Sequence, residues 1–332
     1  MKPFKELTYR GKRRRLRTLA LNALTQYDLD ITKVQFISDW TNTIFRIRTK
    51  NRLSYMLRTC EPEWRTEEDL RSEVMWLQAL HRDTDIGAPE PIQTRNGEDL
   101  IEVFADGVPE SRRCLVTSWL PGSMMIGPKL NETNVYKMGT LFARLHQHGS
   151  KFTPPSNFTT LKMDGLYVRR ENQTLFDHSC NAALTSRTRD ILNQAWDKVN
   201  DAYKNRYAEP KGLRVIHNDL HQENINVYHG KLYPYDFEDT VWGYPVQDIA
   251  TAMFDLILDA PEKYSHLRTA FRHGYESHSP WPETYPEEID TFQTGFILWR
   301  INFIARGERK GDLNGWIQLL EKFLRTGIVN NS

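Results

Sequence analysis

Three short stretches near the start of the chain alternate apolar and polar positions: VQFI at 34–37, TIFRIRT at 43–49 and LSYMLRT at 53–59. Their β-branched and aromatic residues predict three antiparallel strands, with a turn at Asn51-Arg52 between the last two. Ahead of them, residues 12–27 carry Leu16, Leu19, Leu21 and Leu24 behind a basic opening, and read as a helix. Behind them, residues 66–81 open with Thr66-x-x-Asp69, a reciprocal cap, and run on at helical spacing. Two further strands are expected at 99–103 and 113–119, and Leu120-Pro121-Gly122 breaks the chain.

Beyond that break the periodicity changes. Helices are expected at 132–148 and 186–208, with a Pro- and Ser-bearing loop at 150–160. Short strands and a tight turn occupy 214–237. Residues 246–328 are mostly helical around a Pro-rich loop at 279–288. The expected class is α+β: a small β-rich N-terminal part (1–116, with the N-terminal helix), a connector (117–122) and a larger helical part (123–332).

Composition narrows the class of function. The chain has 332 residues, 39% hydrophobic, 11% aromatic and 26% charged, which is a globular balance. Its 44 basic and 43 acidic side chains give a net charge of +1, so nothing in the overall charge points to nucleic acid or an acidic membrane surface. The basic run 10–17 reads as a solvated helix end or as a phosphate contact. No apolar run reaches membrane-span length, and the N-terminus lacks the apolar core of a secretory signal. Cys60, Cys114 and Cys180 stand far apart in no metal-type spacing, and a reducing cytoplasm is the expected compartment.

The chemistry concentrates in 215–239, VIHNDLHQENINVYHGKLYPYDFED. Residues 225–228 and 232–235 read as a hairpin around a His229-Gly230 turn. The hairpin is expected to bring the loop 217–224 beside residues 236–239. Asp219, Asn224 and Asp236 then converge as hard oxygen donors suited to Mg²⁺, or Asp219 stays off the metal and accepts a proton. His217 and His221 read as loop-fixing hydrogen-bonders. Glu238 and Asp239 read as a solvated acidic turn, as metal-shell members or as groups for a cationic substrate. Asp248 reads as a buried brace for the loop or as a helix N-cap.

Asp219-x4-Asn224 followed by Asp236 resembles the catalytic loop and metal-binding Asp of the protein-kinase-like fold. The spelling HNDLHQEN, with Gly243-Tyr-Pro-Val-Gln-Asp248-Ile-Ala after it, is more similar to the aminoglycoside/choline phosphotransferase family, including its stress-response and homoserine-kinase-like members. The resemblance covers nearly the whole chain in order. It implies a bilobal fold and ATP-dependent transfer of the γ-phosphoryl group to a hydroxyl. Asp219 would accept the proton, with Asn224 and Asp236 holding Mg²⁺.

The same resemblance implies nucleotide contacts in the N-terminal part. Ser38 and Asn42 match a phosphate-covering loop, one residue off in spacing. Arg58 stands where the family's third strand carries a cation, usually Lys, for the α/β-phosphates, with Glu73 as its partner; a surface ion pair is the other reading. Backbone groups of Ser118 and Leu120 would meet adenine. The acceptor would lie near 292–306, with Trp299, Arg300, Asn302 and Glu238 as candidates. The absence of an acidic excess there disfavours a polycation and favours a small hydroxyl-bearing molecule. A protein Ser/Thr kinase and a nucleotide-binding pseudokinase are the alternatives.

Overall fold

The alternation at 31–59 becomes an antiparallel meander in the computed structural model, which describes residues 2–169, 171–177, 184–208, 211–307 and 312–326. Cys180 lies outside these residues. The chain divides into two compact units. The first comprises Met1–Pro121, Thr153–Thr159 and Tyr233–Glu238, and the second Gly122–Phe152, Thr160–Leu232 and Asp239–Ser332. The loop 153–159 and the segment 233–238 thus join the first unit, a long-range return that local periodicity does not encode.

The first unit opens with helix α1 (Tyr9–Leu24), capped where the Thr8 hydroxyl accepts the Gly11 N–H. Strands β1 (Ile31–Asp39), β2 (Thr43–Thr49) and β3 (Ser54–Thr59) follow, then helix α2 (Glu67–Asp83), β4 (Pro91–Ile92), β5 (Ile101–Val103) and β6 (Arg112–Ser118). The sheet order is β1-β2-β3-β6-β4, with β5 also on β6. The predicted turn holds Arg52 at φ 65°. In β2 the side chains of Thr43, Phe45, Ile47 and Thr49 are buried on alternate positions, as a half-buried strand requires.

The apolar stripe of α1 (Leu16, Leu19, Ala20, Ala23, Leu24) packs with Phe45, Ile47, Leu57 and Val116 into one core. Each fully buried Leu or Phe there contributes about 2 kcal/mol. Part of the basic run of α1 is engaged at home. The Arg13 guanidinium lies over Phe36, 3.3 Å from the ring centroid, and Arg15 donates to the Gly107 carbonyl. The reciprocal cap of α2 forms as expected between Thr66 and Asp69.

The second unit contains β7 (Ser123–Met124), α3 (Glu132–Lys151), α4 (Ser186–Ala208), β8 (Arg214–Ile216), β9 (Ile225–Tyr228) and the start of β10 (Lys231–Pro234). Then come β11 (Val241–Gly243), α5 (Pro245–Asp259), α6 (Tyr264–Glu276), α7 (Glu288–Ala305) and α8 (Leu313–Thr326). β8 pairs antiparallel with β11 through Ile216 and Val241, and β7 pairs with β9. Helices α3 and α6 cross at glycine. A Cβ on Gly139 would stand 2.0 Å from the Phe271 carbonyl oxygen, and one on Gly274 1.8 Å from that of Tyr136. Helix α7 buries Ile289, Phe292, Ile297, Leu298 and Ile301.

Candidate active site

The loop after β8 is built around a backbone conformation that most residues avoid. Asn218 has φ 68°. Its N–H donates to Asp248 Oδ1 at 2.6 Å, and Asp248 is fully buried on α5. The other carboxylate oxygen, Oδ2, faces Nε2 of His146 on α3 at 3.0 Å. Nδ1 of His146 meets the Tyr275 hydroxyl of α6 at 3.0 Å. Burial holds the His146 imidazole below its ordinary pKa, so the ring stays neutral and donates from Nε2 to Asp248. Asp248 is therefore the brace; the N-cap of α5 is Tyr244, whose N–H is taken by Gln247 Oε1 at 2.6 Å. His146 and Tyr275 escaped the sequence reading, because their partners lie on other helices.

Asp219 follows Asn218 directly. Its N–H reaches Nδ1 of the buried His217 at 3.4 Å. A short 3-10 turn, Gln222–Asn224, carries Asn224 back onto it. Nδ2 of Asn224 donates to the Asp219 carbonyl at 2.8 Å and to its Oδ2 at 3.1 Å. The amide nitrogen is thereby engaged, and Oδ1 is the atom left to face a cation.

The first unit holds a second polar cluster. Arg58, on the central strand β3, is 3% exposed. Its Nη1 donates to Glu73 Oε1 at 3.2 Å, and its Nη2 donates to the other oxygen of the same carboxylate. Nη1 also lies 3.5 Å from Glu238 Oε2. The surface-pair reading of Arg58 and Glu73 is thus corrected: both side chains are buried. Burial by itself would lower the Arg58 pKa, but Glu73, then Cys60 and Glu238, outweigh it and keep the guanidinium charged. Nε of Arg58 is buried with no hydrogen-bond partner, a donor left over in an otherwise saturated site.

Glu238 is buried rather than part of a solvated turn. Its Oε1 accepts from Trp64 Nε1 at 2.9 Å, and its Oε2 accepts from Asn42 Nδ2. This moves Glu238 from the acceptor candidates to the neighbourhood of Arg58. Asn42 is engaged at both ends, since its Oδ1 accepts the Glu61 N–H at 3.0 Å. It ties the β1–β2 loop down instead of offering an open amide to phosphate. Ser38 pairs with Ile44 in the ladder. Asp236 precedes Phe237, which packs edge-on against Trp76 at 5.4 Å, and Asp236 has φ 66°, a conformation that an Asp tolerates at a cost.

The remaining candidates divide. The Ser118 N–H already donates to the Glu90 carbonyl at 2.8 Å, so it is not available to a base; Leu120 follows it at the end of the first unit. Trp299 donates to Glu171 at 3.3 Å and stacks on Phe303. Arg300 lies over the rings of Phe296, Trp299 and Trp316 at 5.4–6.0 Å. Asn302 is 1% exposed, donates to the Asn172 carbonyl and accepts the Leu175 N–H. It pins that segment and has no face for an acceptor.

Known proteins share this fold. An amicoumacin kinase of Bacillus subtilis (strain 168) is 22% identical over 259 residues, 77% of this chain and 72% of that protein. An amicoumacin kinase structure with AMP-PNP and Ca²⁺ superposes with a TM-score of 0.77 at 15% identity over 96% of both chains. A microcompartment-associated aminopropanol kinase gives 0.73 at 20% identity, over 95% of this chain and 99% of that one. These neighbours carry the α+β, protein-kinase-like fold, and residues 33–286 match the phosphotransferase enzyme family, to which this chain therefore belongs.

Proposed function

We propose that this protein transfers the γ-phosphoryl group of ATP to a hydroxyl of a small-molecule acceptor. The observation that carries the reading is the Asn218–Asp219–Asn224 loop, in which Asn224 and a strained, braced backbone hold a carboxylate in one orientation. The oxygen of the acceptor hydroxyl forms a bond to the γ-phosphorus as the bond to the β,γ-bridging oxygen breaks. The hydroxyl proton passes to Asp219, and ADP carries away the electron pair. General-base placement of this kind is worth about 10²–10⁴ in rate. Arg58 supplies fixed positive charge, and its unpartnered Nε is the donor a phosphate oxygen would take.

The donor set fits a hard divalent cation. Asn224 Oδ1 and Asp236 are the oxygens that would hold Mg²⁺, which when bound neutralises charge on the phosphates. Among the described residues no three His, Cys, Asp or Glu side chains cluster as a metal cage. That suits a cation shared with nucleotide phosphates. The relatives named for amicoumacin and aminopropanol act on small molecules, which supports a small acceptor over a protein hydroxyl. No helix among the described residues is long and apolar enough to cross a membrane. The test is acceptor-dependent ADP release from Mg²⁺–ATP across a library of small alcohols. Asp219→Asn should lower turnover at least 10²-fold with ATP still bound; unchanged turnover would remove Asp219 from the reaction.

A further inference from the structure

The net charge of +1 conceals an uneven distribution. Residues 2–17 hold eight of the 44 basic side chains and one of the 43 acidic ones, so this stretch carries +7 and the rest of the chain −6. Its half-buried cations are engaged within the first unit: Lys12 lies over the Phe4 ring, Arg13 over Phe36, and Arg15 donates to two carbonyls. Arg10, Arg14 and Arg17 recur at i, i+4 and i+7 of α1 and are exposed on one face. Among the described residues no salt bridge joins a cation of this stretch to a carboxylate. Other helices carry exposed pairs: Arg71–Glu67 on α2, Lys204–Asp201 on α4 and Arg272–Glu276 on α6. The arrangement works against α1. Like charges three and four residues apart repel, and the first turn, where the helix dipole favours acids, holds Arg10 and Lys12 and no acid. A face kept against its local electrostatics is expected to serve a partner.

We propose that this face of α1 docks single-stranded RNA, with Arg10, Arg14 and Arg17 on its phosphates and Phe104 beneath a base. This function is independent of phosphotransfer. A guanidinium fork takes two phosphate oxygens at once, and all three outward cations are Arg. The exposed ring of Phe104 stands beside the last turn of α1, where Asn22 Nδ2 donates to the Phe104 carbonyl at 3.2 Å. Tyr9, also exposed, opens the helix about 20 Å away at 1.5 Å per residue. Cations flanked by exposed rings suit a strand whose bases are free to stack, and RNA presents such strands to proteins. A duplex keeps its bases stacked inside. A membrane surface fits less well. Helices that lie on a bilayer bury an apolar face in it, and Leu16, Leu19, Ala20, Ala23 and Leu24 of α1 are already inside the core. An acidic peptide would match the charges and leave the rings unused.

The experiment follows the fluorescence anisotropy of a labelled oligouridylate, about 12 nucleotides long, within the span that single-strand surfaces cover. The full chain should bind it, and three phosphate contacts should weaken binding about 20-fold between 50 and 200 mM salt. The triple variant Arg10→Gln/Arg14→Gln/Arg17→Gln should lower the affinity at least about 10-fold at the lower salt and flatten the salt dependence. It should melt no lower than wild type, because repelling charges have been removed. A second triple, Arg71→Gln/Lys204→Gln/Arg272→Gln, removes the same total charge and should keep the binding. Phe104→Ala should lower the affinity at least about 5-fold, the weight of one stacked base. No binding by wild type at the lower salt, or equal losses in the two triples, overturns the RNA surface. Unchanged affinity in Phe104→Ala overturns the stacked single strand. Tighter binding of polyglutamate or of phosphatidylserine vesicles than of the RNA gives the face to an acidic peptide or a membrane instead. A first triple that melts well below wild type would make the three arginines structural and overturn the proposal.

Discussion

Asn218 and Asp248 stand 30 residues apart in sequence, and the N–H of one meets Oδ1 of the other at 2.6 Å. The bond holds Asn218 at φ 68°, immediately before Asp219. Without it the left-handed backbone has no reason to persist, and the carboxylate of Asp219 loses its aim.

Asp248→Ala should therefore act twice. It leaves the Asn218 N–H and His146 Nε2–H without acceptors, at about 1–3 kcal/mol each, and stability should fall accordingly in urea titration. It should also lower kcat, by about 10²-fold if Asp219 shifts by 1 Å, with little change in the ATP KM. Asp248→Asn keeps an acceptor for Asn218 and should recover part of both losses. A variant that is destabilised yet turns over normally would reduce Asp248 to a packing residue.

Arg58 is held between two buried carboxylates, Glu73 and Glu238. Arg58→Ala removes the guanidinium that both buried carboxylates face and should cost about 3–5 kcal/mol. Arg58→Lys keeps a charge but not the planar fork, so it should fall between wild type and Ala in stability. The ATP KM should rise, or kcat fall, in the same order. Identical ATP kinetics in all three proteins would place Arg58 outside the nucleotide site. Trp64→Phe, which removes one donor from Glu238, should have a smaller effect in the same direction.

What could be read from the sequence follows how local each interaction is. The β2 alternation, the Thr66–Asp69 cap and the Asp219-x4-Asn224 loop are set by neighbours within a few residues, and their periodicity or spacing shows them. Arg58 and Glu73 are 15 residues apart, but one strand and one capped helix fix their relation. Glu238 was misread because its partners, Asn42 and Trp64, lie 196 and 174 residues away. Asn302 was misread for a related reason: a polar residue on an apolar helix signals burial with a partner as often as it signals a pocket, and its partners are backbone groups of a distant loop. Gly139 and Gly274 carry no local sign at all, since each is required by the backbone of the opposite helix.

That helix crossing gives a clean stability test. Gly139→Ala and Gly274→Ala each drive a methyl into a backbone carbonyl, which cannot turn away as a side chain would. Each should cost at least 1–3 kcal/mol, or a Tm drop of several degrees. Gly165 is the control: a Cβ there meets nothing nearer than Val168 Cγ1 at 4.0 Å. Gly165→Ala should leave the Tm within about a degree. Equal melting of the three variants would mean that α3 and α6 separate at little cost.

His146 makes stability depend on pH, and the sign follows from its environment. The ring is fully buried between Asp248 and Tyr275, with Arg214 donating to its carbonyl and adding positive charge nearby. Burial, the largest influence, lowers the folded-state pKa below the unfolded value of 6.5. Between those two values the unfolded chain binds more protons, so the stability His146 contributes is complete above the unfolded value and drains away as the pH falls through this window. His146→Gln retains a donor for Asp248 and has no titration. In urea titrations at pH 7.5 and pH 5, wild type should lose more stability on acidification than His146→Gln, since other groups titrate alike in both and cancel in the difference. Parallel losses, or a wild type that gains relative stability in acid, would show that the imidazole is protonated in the folded state and that Asp248 is bound to a cation rather than to a neutral ring.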